Sequence, residues 1–533
     1  MDVPAAHSTT AFPTFTEALD RAAARRTAPA VATGAQEWTW ADLRDQAGRT
    51  AAVLHRHGLR RGDVLATQLP NGWELLVLHA ATARLGVVML PLHGGYREHE
   101  VQSLIGQAGA VALVAQGSYR GRDRVAEILA VRDRCPSLAQ VWLSGDPRGG
   151  DLTSSAELLS QEPAGGLPAA GRDPDAPLLL LASSGTTSKR PKLCVHGHRG
   201  LLGNAAAVAA DGGLGATDTI VSASPLSHAF GMLSVHLALV TGGAVGLCDG
   251  WSPRRFLELL TAVSATAAFA VPAQLRDLLA EVDGGTDARP PATLREVRTG
   301  GAPVSRDLAE HVRRAFGARV IVQWGMTEVG AGTYTRPGDP PELTATVGRP
   351  VSGGAVRVVG PDGVPVAPGE TGDLQYRSPY LFREYYRAPE ATRAAFTTDG
   401  WLRTGDLAAL RPDGAVSYRG RADEVINRGG LKFSGLEVEE LLADLPQLAQ
   451  HAVVAQPDER LGQRSCLVAA LREGAELTLD EVTAHLSGKG LATFKLPERL
   501  VVLDRLPTTV TGKIARARLR DMVPAAKTAE ARR

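Results

Sequence analysis

The stretch Leu179–Lys192, LLLASSGTTSKRPK, joins an apolar run of strand length to a loop of serine, threonine and glycine that ends on a lysine. Hydroxyl groups, unpaired backbone N–H groups and a cation together suit a polyphosphate. The loop is not a P-loop of the G-x-x-x-x-G-K-[ST] type, because no glycine precedes Lys192 and Leu193 follows it. The alternative for the loop taken alone is an exposed polar turn after a buried strand, and the remaining motifs of the chain argue against it.

The segments around this loop alternate between strand and helix patterns. Upstream of it, the residues predict strands over 63–69, 87–92 and 110–115 and helices over 73–85 and 97–107. Such alternation predicts parallel sheets covered by helices on both faces. From about residue 355, short strands separated by Pro-Asp-Gly and Pro-Gly turns predict a β-rich subdomain.

The length of the chain predicts more than one domain, because 533 residues exceed what one hydrophobic core holds together. The predicted fold is α/β, with a large N-terminal domain of parallel sheets over residues 1–421 that includes the β-rich subdomain at about 350–421. A small, mobile α+β domain is expected over residues 422–525, followed by a frayed tail over 526–533.

Composition argues against several classes of protein. The net charge of +1 provides no basic field for nucleic acid or membrane surfaces. The N-terminus lacks the features of a signal peptide, and no apolar run is long enough to span a bilayer. The four cysteines (135, 194, 248 and 466) contain no C-x-x-C pair, which predicts reduced thiols rather than a disulfide frame or a zinc site. We therefore expect a soluble cytoplasmic protein that binds neither nucleic acid nor membrane.

Four further motifs carry residue types that suit nucleotide chemistry. They are QWGMTE at 323–328, WLRTGDL at 401–407, YRGRADEVINRGG at 418–430 and LPTTVTGKI at 506–514. An aromatic ring such as Trp324 can stack on a purine, a carboxylate such as Glu328 can hold Mg²⁺ beside phosphates, and Asp406 can accept ribose hydroxyls. Each has an ordinary alternative as a core aromatic or an exposed charge.

Taken together and in this order, the five motifs resemble those of the adenylate-forming superfamily of acyl-CoA synthetases, aryl-acid ligases, carrier-protein adenylation domains and luciferases. The resemblance covers roughly residues 35–520. It implies an enzyme that uses ATP and Mg²⁺ to convert a carboxylic acid to an acyl-adenylate, with release of pyrophosphate, and then passes the acyl group to a thiol.

The resemblance also implies roles for individual residues. The phosphate loop would contribute Ser183, Ser184, Gly185, Thr186, Thr187 and the catalytic Lys192. The rest of the nucleotide site would consist of Gly301, Ala302, Pro303, Gln323, Trp324, Gly325, Thr327 (at the α-phosphate), Glu328 (at Mg²⁺), Asp406, Tyr418 and Arg421. Lys513 would bridge the attacking carboxylate and the α-phosphate, and Asp423 would be the hinge of the small domain. Gly429 and Gly430 would border the path of a pantetheine arm. Lys432, which flanks this glycine pair, is a further candidate for cofactor binding because its side chain could meet phosphate.

The predicted acid pocket is compact and mostly apolar, and it consists of His228, Ala229, Phe230, Ser234 and Met326. It favours a cyclic, aromatic carboxylate. The segments PKL at 191–193, YTR at 334–336 and NRGG at 427–430 look most like those of aryl-acid ligases related to the dihydroxybenzoate-activating enzymes. Two departures stand out. Ala229 replaces the asparagine that follows the pocket histidine in those enzymes, and Ser188-Lys189-Arg190 makes the phosphate loop one residue longer.

The acceptor is predicted to be coenzyme A, since the Gly429-Gly430 pair lets a narrow pantetheine chain approach the backbone. The alternatives are the pantetheine of a carrier protein and an unusual nucleophile such as nitrite. A different class, a catalytically silent nucleotide-binding protein, rests on the altered loop alone. The H-x-H pair His196 and His198 is interpreted as packing or surface residues, and no metal beyond Mg²⁺ is expected.

Overall fold

The computed structural model describes residues 13–34, 36–145, 152–159, 166–183, 191–285, 287–302, 304–428, 431–458, 460–509 and 512–523. For Asp423 and Lys432 it describes the backbone alone. Numbered along the chain, the α-helices of these residues are α1 (Phe15–Arg25), α2 (Trp40–Arg56), α3 (Trp73–Leu85), α4 (Glu98–Ala108), α5 (Val125–Arg134), α6 (His198–Gly212), α7 (Ala229–Thr241), α8 (Pro253–Ala262), α9 (Pro272–Asp283), α10 (Arg306–Phe316), α11 (Pro389–Ala395), α12 (Gly435–Leu442), α13 (Leu479–Gly488) and α14 (Arg516–Met522).

The strands form four larger sheets and a small hairpin. They are β1 (Val31–Thr33), β2 (Gln36–Trp38), β3 (Val64–Gln68), β4 (Val88–Pro91), β5 (Ala112–Gln116), β6 (Ser118–Tyr119), β7 (Arg122–Asp123), β8 (Gln140–Ser144), β9 (Thr153–Ser154), β10 (Pro177–Ala182), β11 (Leu193–Gly197), β12 (Thr219–Ser222), β13 (Ala244–Leu247), β14 (Ala267–Phe269), β15 (Glu296–Gly300), β16 (Arg319–Met326), β17 (Gly330–Tyr334), β18 (Arg349–Pro350), β19 (Ala355–Val359), β20 (Thr371–Arg377), β21 (Glu384–Tyr385), β22 (Leu402–Leu410), β23 (Val416–Arg421), β24 (Val425–Arg428), β25 (Leu431–Ser434), β26 (Leu448–Asp458), β27 (Gly462–Leu471) and β28 (Arg499–Val502).

Two large sheets dominate the N-terminal part. One has the order β18-β17-β16-β15-β14-β12-β13-β1-β2 and the other the order β21-β11-β10-β4-β3-β5-β8-β9. The central strands of each sheet run parallel. Antiparallel pairs occur at both edges of the first sheet and at the β21-β11-β10 edge of the second, whereas β9 at the other edge of the second sheet pairs in parallel with β8. The predicted parallel, helix-covered architecture is therefore confirmed. Ligands of such sheets bind where the parallel strands end, so the loops after β4, β10, β15 and β16 are the candidate binding loops.

Helices α3, α6 and α7 are buried on nearly every face, and they share one apolar core with residues of both large sheets. A helix that is apolar all round can be stable only in such a position. Helix α3 begins at Trp73 and ends where Gly86 adopts a left-handed φ of 75°, as the sequence predicts. These helices hold the two sheets together behind the strand ends.

The smaller sheets follow in order along the chain. The sheet β19-β20-β22-β23 is antiparallel and corresponds to the expected β-rich subdomain. The last sheet, β25-β24-β27-β26 with β28 beside β27, packs against α12 and α13 around its own apolar core. The change of sheet falls between Arg421 and Val425, and the domain boundary at residue 421 stays a prediction. Among the described residues, no helix has both the length and the apolar character needed to cross a membrane.

Candidate active site

The phosphate-type loop is closed at its base. Its first residue, Ser183, donates its backbone N–H to the carbonyl oxygen of Lys192 at 2.8 Å, and the Lys192 N–H donates to Ser183 Oγ at 3.3 Å. The predicted ligands Ser184, Gly185, Thr186 and Thr187 lie outside the described residues. The ends of the loop are thus set at the carboxyl end of β10.

Tyr385 connects two of the predicted catalytic residues. The Lys192 Nζ lies 4.7 Å from the centroid of the Tyr385 ring, a cation–π contact. The Tyr385 hydroxyl donates to Glu328 Oε1 at 2.7 Å. Burial, and after it the charge of Glu328, raises the pKa of this phenol, so it remains a protonated donor. The lysine at the end of the phosphate loop and the Glu328 carboxylate therefore contact the same side chain, that of Tyr385.

The surroundings of Glu328 suit a magnesium ion. The side chain is 6% exposed, and burial and the nearby Glu328 charge raise the pKa of the Cys194 thiol well above its ordinary value. Cys194 therefore stays a neutral neighbour and does not compete as a thiolate. Mg²⁺ typically takes one or two carboxylates together with substrate phosphates and waters, and a single carboxylate beside a phosphate loop fits that set.

A buried histidine fixes the backbone between Met326 and Glu328. His196 Nε2 donates to the carbonyl oxygen of Thr327 at 2.8 Å. Burial lowers the pKa of His196 to about 4, so the ring is neutral at pH 7. His198 accepts the backbone N–H of Phe15 at 3.0 Å through Nδ1. Both histidines are packing residues, in agreement with the interpretation from sequence.

Asp406 is buried and already has two donors. Trp324 Nε1 donates to its Oδ2 at 2.8 Å, and Arg421 Nη1 donates to its Oδ1 at 3.1 Å. Burial raises the pKa of Asp406, while Arg421, Trp324 and Lys513 oppose that shift. The pairing of β22 with β23 sets Asp406 directly opposite Arg421. The sequence indicated the carboxylate and the arginine but not the indole that orients the carboxylate.

Trp324 itself is only 6% exposed. Its ring packs so closely over Gly332 that a Cβ there would lie 2.4 Å from Cζ3. The ring also lies beside Tyr376, with the centroids 5.7 Å apart. The structure shows the Trp324 indole hydrogen-bonded to Asp406, and its stacking on a purine stays a prediction.

The ends of β15 and β16 approach each other through glycine. A Cβ on Gly300 would lie 2.3 Å from the carbonyl oxygen of Gln323, and Gly301 has a φ of 81°. Gln323 Oε1 is buried and has no hydrogen-bond partner among the described residues. A buried acceptor requires a donor, and an N–H group of a ligand would supply one.

Ala302 is described, whereas Pro303 lies outside the described residues. At Gly325 a register shift in the pairing of β16 with β17 brings Gly330 close, and a Cβ would lie 2.0 Å from its carbonyl oxygen.

The predicted acid-pocket residues fall into two packing environments. Ala229 and Phe230 pack against the core of α3, α6 and α7. The ring centroids of Phe230 and Phe269 lie 5.1 Å apart. Met326 packs instead against the core of the four-stranded sheet. Ser234 is fully buried and donates to the Gly231 carbonyl oxygen at 2.7 Å, so its hydroxyl is already satisfied within α7.

His228 precedes α7, and a second histidine, His93, lies beside it with ring centroids 5.6 Å apart. Burial lowers the pKa of His228 to about 3 and that of His93 to about 4, so both rings are neutral at pH 7. His228 Nε2 is buried without a partner among the described residues. Sequence reasoning missed His93, although the glycine pair after it, Gly94-Gly95, marks an unusual turn at the end of β4.

Lys513 is brought from the small domain to this site. A Cβ on Gly301 would lie 3.2 Å from Lys513 Cε and 3.8 Å from Nζ. Although the residue is exposed in part, desolvation lowers the pKa of its ammonium, with Asp406 acting in the opposite direction. Its backbone exchanges hydrogen bonds with Thr509, which fixes the turn. The cation therefore lies near Gly301, Asp406 and His228 together.

The other predicted residues of the small domain are only partly described. The backbone of Asp423 lies in the short turn between β23 and β24, and that of Lys432 pairs with Asn427. Gly429 and Gly430 lie outside the described residues. Tyr418 lies close enough to Asp406 that, after burial, this carboxylate contributes to raising its pKa.

Comparisons with known proteins give a matching family, related enzymes and a similar fold. The family described as AMP-binding enzyme matches residues 19–386, and its C-terminal domain matches residues 437–513. A Streptomyces salicylyl-CoA synthase / salicylate adenylyltransferase is 37% identical over 505 residues, covering 93% of this chain and 90% of the relative. The salicyl-AMP ligase / salicyl-S-ArCP synthetase of Mycobacterium tuberculosis is 34% identical, covering 89% and 84%. The crystal structure of ATP-bound MatB from Rhodopseudomonas palustris superimposes with a TM-score of 0.85 at 26% identity, covering 95% of this chain and 98% of that one.

Proposed function

Because the chain belongs to the AMP-binding enzyme family, we propose that it activates an aryl or other cyclic carboxylic acid with ATP and transfers it to coenzyme A. The first step joins the acid to AMP and releases pyrophosphate. The second step forms a thioester and releases AMP. The chain is an AMP-forming ligase, and the identity of the acid and of the acceptor is the proposal.

The observation that carries this proposal is the position of Lys513 beside Gly301 and Asp406. In the proposed complex, a cation there would meet both the attacking carboxylate and the α-phosphate, and fixed positive charge at developing negative charge is a major source of catalysis. A thiol needs the same space in the second step, so the lysine has to withdraw. Rotation about the Asp423 turn would withdraw it, since that turn precedes the whole small domain.

The nucleotide would lie across the strand ends. Ser183, Lys192 and the loop between them would hold the β- and γ-phosphates, with Thr327 at the α-phosphate and Mg²⁺ at Glu328. The magnesium would offset phosphate charge. The buried acceptor Gln323 Oε1 suits the exocyclic amine of adenine, which would lie over Gly301. Asp406, held by Trp324 and Arg421, would accept the ribose hydroxyls.

The acid is proposed to be aromatic. The Streptomyces and Mycobacterium tuberculosis relatives are both named for salicylate chemistry. Phe230 and the neutral ring of His228 present flat ring surfaces at the start of α7, which suits an aryl ring. The small Ala229 leaves room where a larger polar side chain would restrict the ring.

Coenzyme A is proposed as the acceptor, and the pantetheine of a carrier protein is the alternative, because the relatives include enzymes named for each. The four cysteines are all free and buried, which supports work in the reducing cytoplasm.

The test has two parts. ATP–pyrophosphate exchange is measured across a panel of salicylate, other aryl acids, alicyclic acids and fatty acids, and exchange with aryl acids is the expected result. Products are then identified by mass spectrometry with and without coenzyme A. Exchange with fatty acids alone would overturn the aryl proposal, and accumulation of adenylate and AMP without a thioester would overturn the acceptor.

A further inference from the structure

A cavity of about 320 Å³ lies at the end of the sheet of β3, β4 and β10 that is opposite to the active site. Three of its lining residues mark that end, since Gly62 precedes β3, Val88 is the first residue of β4 and Pro177 is the first residue of β10. These strands are parallel, so their first residues lie far from the loops that follow them. The cavity is therefore separate from the phosphate loop. Its volume is near the lower limit for ligand sites and suits a small molecule rather than a nucleotide.

The floor of the cavity is apolar and faces away from the active site. It consists of the buried side chains of Val88, Leu180 and Val195. Successive residues of a strand point to opposite faces of the sheet. On β11, Val195 therefore points to the cavity, while the next residue, His196, points to the carbonyl oxygen of Thr327. An apolar group of a ligand can cover this floor, whereas a bare anion cannot.

One wall of the cavity presents a buried hydrogen-bond donor. His198 lines the cavity, is 5% exposed, and accepts the backbone N–H of Phe15 through Nδ1 at 3.0 Å. Burial lowers the pKa of this ring to about 4, so at pH 7 the ring is neutral and its N–H is at Nε2. Nε2 has no hydrogen-bond partner among the residues that the structure describes. A buried donor requires an acceptor, and a ligand in the cavity would supply one.

The guanidinium of Arg61 lies beside this histidine. Its charge adds to burial in lowering the pKa of His198. The side chain passes between two glycines, since a Cβ on Gly171 would lie 2.6 Å from Nη1 and a Cβ on Gly86 would lie 3.3 Å from the same atom. Within the described part of the chain, the Arg61 side chain makes no ion pair or hydrogen bond. The two glycines thus place an uncompensated cation at the wall that carries the buried donor.

The other charges at the cavity are either balanced or already in use. Arg383 and Glu384 are exposed neighbours of opposite charge. Asp173 accepts a backbone N–H through Oδ1 at 2.9 Å. The wall formed by Arg61 and His198 is therefore the one that favours a ligand group, and that group has to be an anionic acceptor.

We propose that this cavity is a second ligand site, which binds a small carboxylate that carries an apolar ring. The carboxylate would accept hydrogen bonds from Arg61 and His198, and the ring would lie on the apolar floor beside Tyr386. A guanidinium binds a carboxylate by paired, charge-assisted hydrogen bonds. A hydrocarbon would leave the buried donor unpaired, so both parts of the ligand are needed. The site does not depend on the proposed function, because the residues that form it lie outside the nucleotide and acid sites.

The test is isothermal titration of the full chain with benzoate. Acetate lacks the ring and benzylamine reverses the charge, so these two compounds are the comparison probes. Each titration is made with and without a non-hydrolysable analogue of an aryl-adenylate, which would fill the acid pocket and leave the cavity open.

Three variants locate the site. Arg61→Gln removes the cation, and Gly171→Ala keeps the cation but displaces it, because the new Cβ would lie 2.6 Å from Arg61 Nη1. Arg254→Gln removes an equivalent charge from an exposed pair with Glu258 and is the matched control. Arg61 is itself exposed, so its replacement should leave the fold intact.

Benzoate should bind the analogue-loaded chain, whereas acetate and benzylamine should not. Loss of a charge-assisted bond should weaken benzoate binding by about 10- to 100-fold in Arg61→Gln, with a smaller loss in Gly171→Ala and none in Arg254→Gln. The inference would be overturned if the loaded wild type bound no benzoate, if Arg61→Gln bound it equally well, or if benzylamine bound more tightly. Failure of the analogue to bind would count against the proposed function instead, and the effect of Arg61→Gln on benzoate binding to the unloaded chain would still decide this inference.

Discussion

Replacement of Trp324 by phenylalanine separates two roles of this side chain, its hydrogen bond to Asp406 and its predicted stacking on a purine. The aromatic plane is retained, so stacking on a purine would survive. The indole N–H that donates to Asp406 Oδ2 at 2.8 Å is lost. We expect Trp324→Phe to weaken ATP binding while the KM for the acid stays unchanged.

The magnitude follows from the surroundings of Asp406. A hydrogen bond to a charged group contributes roughly 1.5–3 kcal/mol, or about 10- to 100-fold in Kd. Because Arg421 still donates to Oδ1 at 3.1 Å, we expect the lower end, about tenfold. Trp324 also opposes the rise that burial causes in the pKa of Asp406. Its loss should raise that pKa further, so ATP binding should decline at a higher pH as the solution is acidified.

Isothermal titration with ATP across a pH series measures both effects. Trp251→Phe is the matched control, because Trp251 Nε1 donates to Asp277 Oδ2 at 2.7 Å on an exposed surface. Trp324→Leu removes the ring as well as the donor. Equal ATP affinity in Trp324→Phe and the wild type, with a loss only in Trp324→Leu, would refute the positioning argument and favour stacking.

Three further outcomes are expected. Lys513→Ala should slow adenylation by about 10²–10³ yet leave thioester formation from supplied acyl-adenylate largely intact, because the lysine is proposed to act only in the first step. Equal loss in both half-reactions, measured by quenched flow, would contradict the rotation of the small domain. Tyr385→Phe should raise the Mg²⁺ concentration needed for half-maximal exchange, since Glu328 loses its 2.7 Å donor while the ring under Lys192 remains. A magnesium titration that matches the wild type would show that this hydroxyl does not position Glu328. For His196 and His236, burial lowers the pKa to about 4 and about 3, so below the ordinary value near 6.5 the unfolded chain gains protons that the folded chain does not. Stability should thus be complete above pH 6.5 and fall towards pH 4 by up to about 1.4 kcal/mol per pH unit for each histidine, and chemical denaturation with a flat pH profile over that interval would contradict it.

The sequence determined those features that depend on neighbours along the chain. Helix α3 was predicted from Trp73 to Leu85 because its apolar residues and the following glycine are local signals, and the structure has those bounds. The five motifs identified the family because each is a short run of residue types. Local signals failed where burial is complete. Helix α7 is apolar on nearly every face, so it lacks the amphipathic period that reveals a helix.

Only the tertiary structure decided which distant residues meet. Trp324 reaches Asp406 across 82 positions of sequence, and the Tyr385 hydroxyl reaches Glu328 across 57. These contacts follow from the order of strands in a sheet and from the packing of one sheet against the next, and no periodicity along the chain encodes either. A short motif specifies which side chain is present and therefore which chemistry that side chain can perform. Which residues surround that side chain depends on hydrogen bonds and burial between segments that come together only on folding.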